Sequence, residues 1–224
     1  MIGESYARVE SGQYAGQIIN DPTGWPQSGG LKPLGYIVPD WIGSFATNFS
    51  YKRFSASALF DMRLGSDFFS WTMWHSYYTG AYNNTVDGGI RENGVIGPGV
   101  LEVTDGSGHV TGYKPNDIRM GAQDYYGSDW IWNQREYSVL DGTFVKFREL
   151  SFSYSFKFKP EFFVKDLKLS LTGRNLAILY RSKDCKMLGI DPETQFGGTE
   201  WGSGVESFNL PGARSFGLKV QLNF

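Results

Sequence analysis

The chain has 224 residues, 17% of them aromatic, and 29 glycines, a mixture suited to strands broken by turns rather than to helices, which favour Ala, Leu, Glu and Lys. Acidic and basic residues are interspersed at a formal net charge of −2, which leaves no basic footprint for nucleic acid or for an anionic membrane surface. Cys185 is the only cysteine, so an internal disulfide framework and a multi-cysteine metal site are excluded, and no run approaches the roughly 18 to 20 apolar residues of a membrane helix.

The opening residues Met1-Ile2-Gly3-Glu4-Ser5-Tyr6 lack the basic start and apolar core of a secretory signal. Residues 5–19 alternate weakly and supply a candidate sixth strand. Phe45, Phe49 and Tyr51, then Phe54, Ala56, Ala58, Phe60 and Met62, flank Tyr51-Lys52-Arg53 and read as a hairpin. Further on, Leu150, Phe152, Tyr154, Phe156 and Phe158 alternate with Ser151, Ser153, Ser155, Lys157 and Lys159. Leu167, Leu169 and Leu171 alternate with Lys168, Ser170 and Thr172, continuing into Asn175-Leu176-Ala177. The clearest element is the last: Phe216, Leu218, Val220, Leu222 and Phe224 against Gly217, Lys219, Gln221 and Asn223. Each is a strand with one apolar and one polar face.

The links around 51–53 and 160–165 are short, whereas 21–39, 65–142 and 181–213 are long. Such alternation suits a membrane barrel, with short turns on one side and long loops on the other. A compact soluble domain rarely carries a connection of that length without structure of its own. Five or six strands alone would also leave two exposed edges, a difficulty that a segment of a larger closed barrel does not have. The expectation is an all-β fold, an antiparallel transmembrane β-barrel segment of about five or six strands with long extracellular loops.

Local motifs add a resemblance. Pro39-Asp40-Trp41-Ile42-Gly43, Phe49-Ser50-Tyr51-Lys52-Arg53-Phe54 and Leu59-Phe60-Asp61-Met62-Arg63-Leu64-Gly65-Ser66-Asp67 come first. Gly94-Val95-Ile96-Gly97-Pro98-Gly99-Val100, the segment 140–151 and Gly173-Arg174-Asn175-Leu176 follow. Gly189-Ile190-Asp191-Pro192-Glu193, Pro211-Gly212-Ala213-Arg214-Ser215-Phe216-Gly217-Leu218 and the terminal Phe224 complete the order. In order and spacing this resembles the C-terminal end of SusC/RagA-type TonB-dependent outer-membrane transporters, departing at Ser66, where the family usually has a second glycine, and in the variable 107–137 region. The resemblance implies a cell outer membrane location and a large barrel plugged by an N-terminal domain. It further implies energy supplied through TonB, and a SusD-like surface lipoprotein that helps capture oligosaccharides or peptides. A complete member is several times longer, so residues 1–224 are expected to be the C-terminal part of the barrel, with plug and signal peptide absent and no transport by this part alone.

The same resemblance makes Phe224 the signal read by the barrel assembly machinery, and puts the aromatic strand faces against outer-membrane lipid. Trp71, Trp74, Tyr77, Tyr78, Trp130, Trp132 and Trp201 are candidates for stacking on sugar rings or peptide side chains, although aromatic rings equally pack loops together. No catalytic residue, metal site or cofactor is expected. Asp191 and Glu193 lie two apart in a Pro-containing loop, where they more naturally shape a turn or meet solvent than act as a glycosidase couple. His75 and His109 lack partners at ligand spacing, and Gly88-Gly89 and Gly197-Gly198 lack the strand-to-helix context of a phosphate cradle. Two other readings stay open: a soluble lectin-like β-sandwich that binds carbohydrate through its aromatic loops, and an outer-membrane barrel without TonB coupling.

Overall fold

The computed structural model describes residues 1–127, 135–159, 161–194, 204–210 and 212–224. The chain divides into two compact units, one made of residues 1–37, 67–140 and 195–208, the other of 38–66, 141–194 and 209–224.

The second unit is built on five long strands: β1 Trp41–Tyr51, β2 Phe54–Leu64, β3 Phe144–Lys157, β4 Asp166–Arg181 and β5 Ser215–Asn223. They form one antiparallel sheet in which each strand lies beside its predecessor in the chain. The sheet is open: among the described residues β1 and β5 each pair on one side only, and no closed barrel forms. Lys52-Arg53 makes the two-residue turn between β1 and β2. Lys52 has a φ of 54°, the left-handed backbone that lets such a turn follow the twist of its strands. The turn after Lys157 and the end of β5 lie at this same end, since Lys157 stands opposite Asp166 and Asp166 opposite Asn223. Both long connections therefore leave from the other end, where Leu64 faces Trp41 and Phe144 faces both Arg63 and Arg181.

Register carries the alternation across all five strands. Phe45 faces Phe60, Phe152 faces Ala56 and Leu171, and Leu171 faces Leu218, so one face is continuously apolar. On the other face Ser153 Oγ donates to Ser170 Oγ at 2.9 Å and the Ser151 and Thr172 hydroxyls lie 3.1 Å apart. Phe147 stacks on Phe60 at 4.7 Å, and Phe54 lies 6.1 Å from Phe152. The apolar face is bare, with Phe216 79%, Leu218 68% and Leu171 60% exposed.

β3 begins six residues before the alternation seen from Leu150. The register slips between Phe147, opposite Phe60, and Glu149, opposite Leu59. This β-bulge inserts one residue, so the apolar phase changes from Val145 and Phe147 to Leu150 and Phe152. Arg148 and Glu149 are thereby both accommodated on the polar side.

The first unit corrects the expectation of a sixth strand and shows what the long connection contains. The opening segment is not a sixth strand of the long sheet: Ile2–Tyr6 pairs with Ser28–Pro33, and Ile19–Asn20 pairs in parallel with Val100–Thr104. The connection after Gly65 is not structureless. It carries Asp67–Ser70, the helix α1 (Trp71–Tyr78), the hairpin Val100–Thr104 and Val110–Pro115, and the short helices Ile90–Asn93 and Ala122–Gly127. Val9, Ile19 and Val100 form one small core, and Phe69 and Trp74 another. Ser70 caps α1, its Oγ accepting from Met73 N at 3.0 Å while donating to the buried Glu206 at 2.6 Å. Thr72 Oγ1 donates to the same carboxylate at 2.6 Å, a favourable place for an anion because the helix N-terminus presents unpaired N–H groups.

Candidate functional site

A charged cavity lies in the second unit, on the polar face of β3 and β4 at the end from which the long connections leave. Lys146 and Arg148 reach it from β3. Lys146 is buried, and its Nζ lies 2.6 Å from Asp191 Oδ1 and 2.6 Å from Glu193 Oε2. Arg148 pairs with Asp61 of β2 and with Glu193, and donates to Asn175 Oδ1 at 3.3 Å. Arg174 of β4 holds Glu149 at 2.9 Å.

Local structure aims the two acidic residues. Ser182 caps the helix α2 (Lys183–Met187), accepting from Cys185 N at 3.4 Å. Gly189 then takes a φ of 71°, a conformation that costs glycine little, and Ile190 turns inward with its N–H on Cys185 O at 2.9 Å. Asp191 Oδ1 accepts from Glu193 N at 3.0 Å while Thr194 closes on Asp191 O. This turn presents both carboxylates to Lys146. The expectation of a turn is met, and the pairing with Lys146 and Arg148 is the feature that spacing alone missed. Its signal was the spacing of Lys146 and Arg148 two apart near the start of a strand whose polar positions from Ser151 to Ser155 are all serine.

Burial opposes ionisation of Glu193, but the hydrogen bonds and charges of Arg148 and Lys146 outweigh it and hold the carboxyl below its ordinary value. Burial pushes the Cys185 thiol up to about 11, so it is a poor nucleophile.

Asn175 has a φ of 52°, tolerable for Asn because its short polar side chain bonds locally. Its Nδ2 donates to Ala213 O at 3.2 Å. Arg181 at the end of β4 donates to Ile190 O at 2.6 Å. Arg181, Arg214, Asn175 and Thr194 line the cavity, of about 270 Å³, with the paired Lys146, Arg148, Asp191 and Glu193. Four of the motif segments that carry the family resemblance, around Lys146, Asn175, Asp191 and Arg214, thus converge at one place.

The aromatic candidates fare differently. Trp74 has no exposed surface: it meets Trp71 edge-on at 5.1 Å, His75 at 4.6 Å and Tyr78 face-on at 6.0 Å. Its ring has no free face for a ligand and belongs to the core. Trp71 is half-buried against Phe69, with the Arg135 guanidinium 5.3 Å from its ring. Tyr77 packs on Tyr82, Tyr126 and Tyr137, while Tyr78 is 41% exposed. Trp130, Trp132 and Trp201, and Gly197-Gly198, lie outside the described residues. Phe224 lies 4.9 Å from Phe163 in ring-to-ring contact. Among the described residues no three acidic, His or Cys side chains converge as a metal site.

Neither a protein-family model nor a curated protein matches the chain. Solved structures do. The RagAB peptide importer in its open-open state is similar at 17% identity and a TM-score of 0.57, covering 100% of this chain and 22% of that one. The closed-closed state of the same importer is similar at 16% identity and a TM-score of 0.53, and the RagAB peptide transporter at 16% and 0.52. Each of these two also covers 100% of this chain and 23% of the other. At such identities the likeness shows the fold, a piece of these transporters' architecture, and the chain spans less than a quarter of their length.

Proposed function

We propose that the chain supplies the last strands of a SusC/RagA-type, TonB-dependent outer-membrane transporter, with its long connections as surface loops. The observation that carries this reading is the open five-stranded meander with one bare apolar face, one polar face, short turns at one end and long connections at the other. In lipid that apolar face needs no cover, and the polar face lines a wide lumen. In a soluble sandwich the same side chains would form the core beneath a second sheet, yet they stand exposed. Strands of 9 to 16 residues reach the roughly 9 to 11 residues needed to cross a bilayer.

The transporter carries oligosaccharides or peptides; the likeness to peptide importers favours peptides. A SusD-like surface lipoprotein assists capture, energy arrives through TonB and a plug elsewhere in the polypeptide, and the barrel assembly machinery reads Phe224. No chemical step is assigned to the chain, and this part alone does not transport. Fractionation of cells producing the full-length transporter tests the reading. Recovery in detergent-extracted outer membrane together with a surface lipoprotein supports it; recovery as a detergent-free soluble protein refutes it.

A further inference from the structure

Two guanidinium groups at the charged cavity have no carboxylate partner among the described residues. Asp191 and Glu193 are already engaged by Lys146 and Arg148, and Asp61 by Arg148. Arg181 is oriented only by the Ile190 carbonyl, a neutral acceptor that leaves its charge uncompensated. Arg214 is exposed and makes no ion pair among the described residues, while the backbone beside it is held by Asn175, whose Nδ2 donates to the Ala213 carbonyl. Arg148 in turn donates to that asparagine, so the network that uses up the acidic groups also ties down the backbone that carries Arg214. Both arginines line the same cavity of about 270 Å³, on the face read above as lumenal.

We propose that Arg181 and Arg214 form a carboxylate subsite that takes the C-terminal carboxylate of a peptide on its way through the barrel. This rests on the peptide-import reading. Guanidinium groups match a carboxylate with paired N–H donors, and Arg181, held beforehand by the Ile190 carbonyl, loses less freedom on binding. The Thr194 hydroxyl is not a donor to spare, because it already donates to Asp191 O at 2.8 Å; recognition falls to the two arginines.

The test is binding to the purified full-length transporter of one set of peptides made with a free and with an amidated C-terminus. The free acids are expected to bind about tenfold more tightly, the worth of one hydrogen bond to a charged group. Arg214→Gln abolishes that preference, and Arg214→Lys restores part of it. Arg214 contacts no described side chain through an ion pair, so its loss leaves the fold intact, checked by unchanged thermal unfolding. Equal affinity for both forms overturns the subsite and leaves peptide import standing. A preference that survives in both Arg214→Gln and Arg181→Gln also overturns it. Failure of every peptide to bind overturns the import reading and the subsite together.

Discussion

Lys146 Nζ lies 2.6 Å from Glu193 Oε2, joining a buried position near the start of β3 to a turn 47 residues later in the chain. The contact fastens the segment after β4 to the polar face of β3. Lys146 is buried, and two carboxylates lie against its ammonium to offset the cost of taking that charge out of water. Replacing Lys146 with Met is expected to destabilise the second unit by about 3–5 kcal/mol, since the largely buried Asp191 loses its cation and Glu193 keeps only Arg148. Adding Asp191→Asn and Glu193→Gln to Lys146→Met should recover part of that loss. Urea unfolding of the transporter in lipid vesicles measures both.

Glu193 makes the same attachment pH-dependent. Its carboxyl is held below its ordinary value of 4.5 by Arg148 and Lys146 against the opposing effect of burial. A depressed folded-state value means that its stabilisation is complete above the unfolded value and is lost as pH falls through the folded one. Stability is therefore expected to decline as pH is lowered through and below the ordinary carboxylate value of 4.5, and Glu193→Gln should flatten the part of that decline due to this group. Half-exposure of Glu193 keeps the effect small. A decline equally steep in the variant would assign it to other carboxylates.

Leu171 and Ser170 are adjacent on β4 and point to opposite faces. Arg in place of Leu171 is expected to cost about 2–4 kcal/mol if that face meets the middle of the bilayer. Arg in place of Ser170 should cost far less. Folding of the two variants into vesicles, followed by heat-modified gel mobility, separates them; equal tolerance would put Leu171 in water.

Trp74 and Trp71 should also part company. Trp74→Ala empties the middle of an aromatic core and is expected to cost about 3–5 kcal/mol, whereas half-buried Trp71→Ala costs less. Thermal unfolding of the two variants reads this difference. Phe224→Ala is expected to reduce the amount of transporter assembled in the outer membrane, while Phe163→Ala, which removes only its ring partner, should not. Quantitative immunoblotting of membrane fractions distinguishes the two.

The strands of the long sheet were legible because a half-buried strand writes its two faces as strict alternation, as Leu167-Lys168-Leu169 and Leu218-Lys219-Val220 do. Alternation failed at Arg148, where the bulge inverts the phase, and β3 therefore begins well before Leu150. The short strands 2–6 and 28–33 are too brief to show a period. Helix α1 was hidden because Trp71-Thr72-Met73-Trp74-His75 offers apolar residues on every side, with only Ser70 as a cap signal. The charged cavity was legible only in pieces: Asp191 and Glu193 showed a turn, but their partners come from β3, and no spacing along the chain records a contact between strand and loop.

The most direct measurement of the membrane reading uses Cys185→Ser, removing the buried thiol, and single cysteines placed one at a time from position 216 to 222. Each variant of the full-length transporter, folded in lipid vesicles, is labelled with an environment-sensitive probe and exposed to lipid-borne and water-borne quenchers. Positions 216, 218, 220 and 222 are expected to be quenched from the lipid, and 217, 219 and 221 from water, in strict alternation. Quenching of every position from water, or no alternation at all, would contradict the placement of this sheet in a membrane barrel.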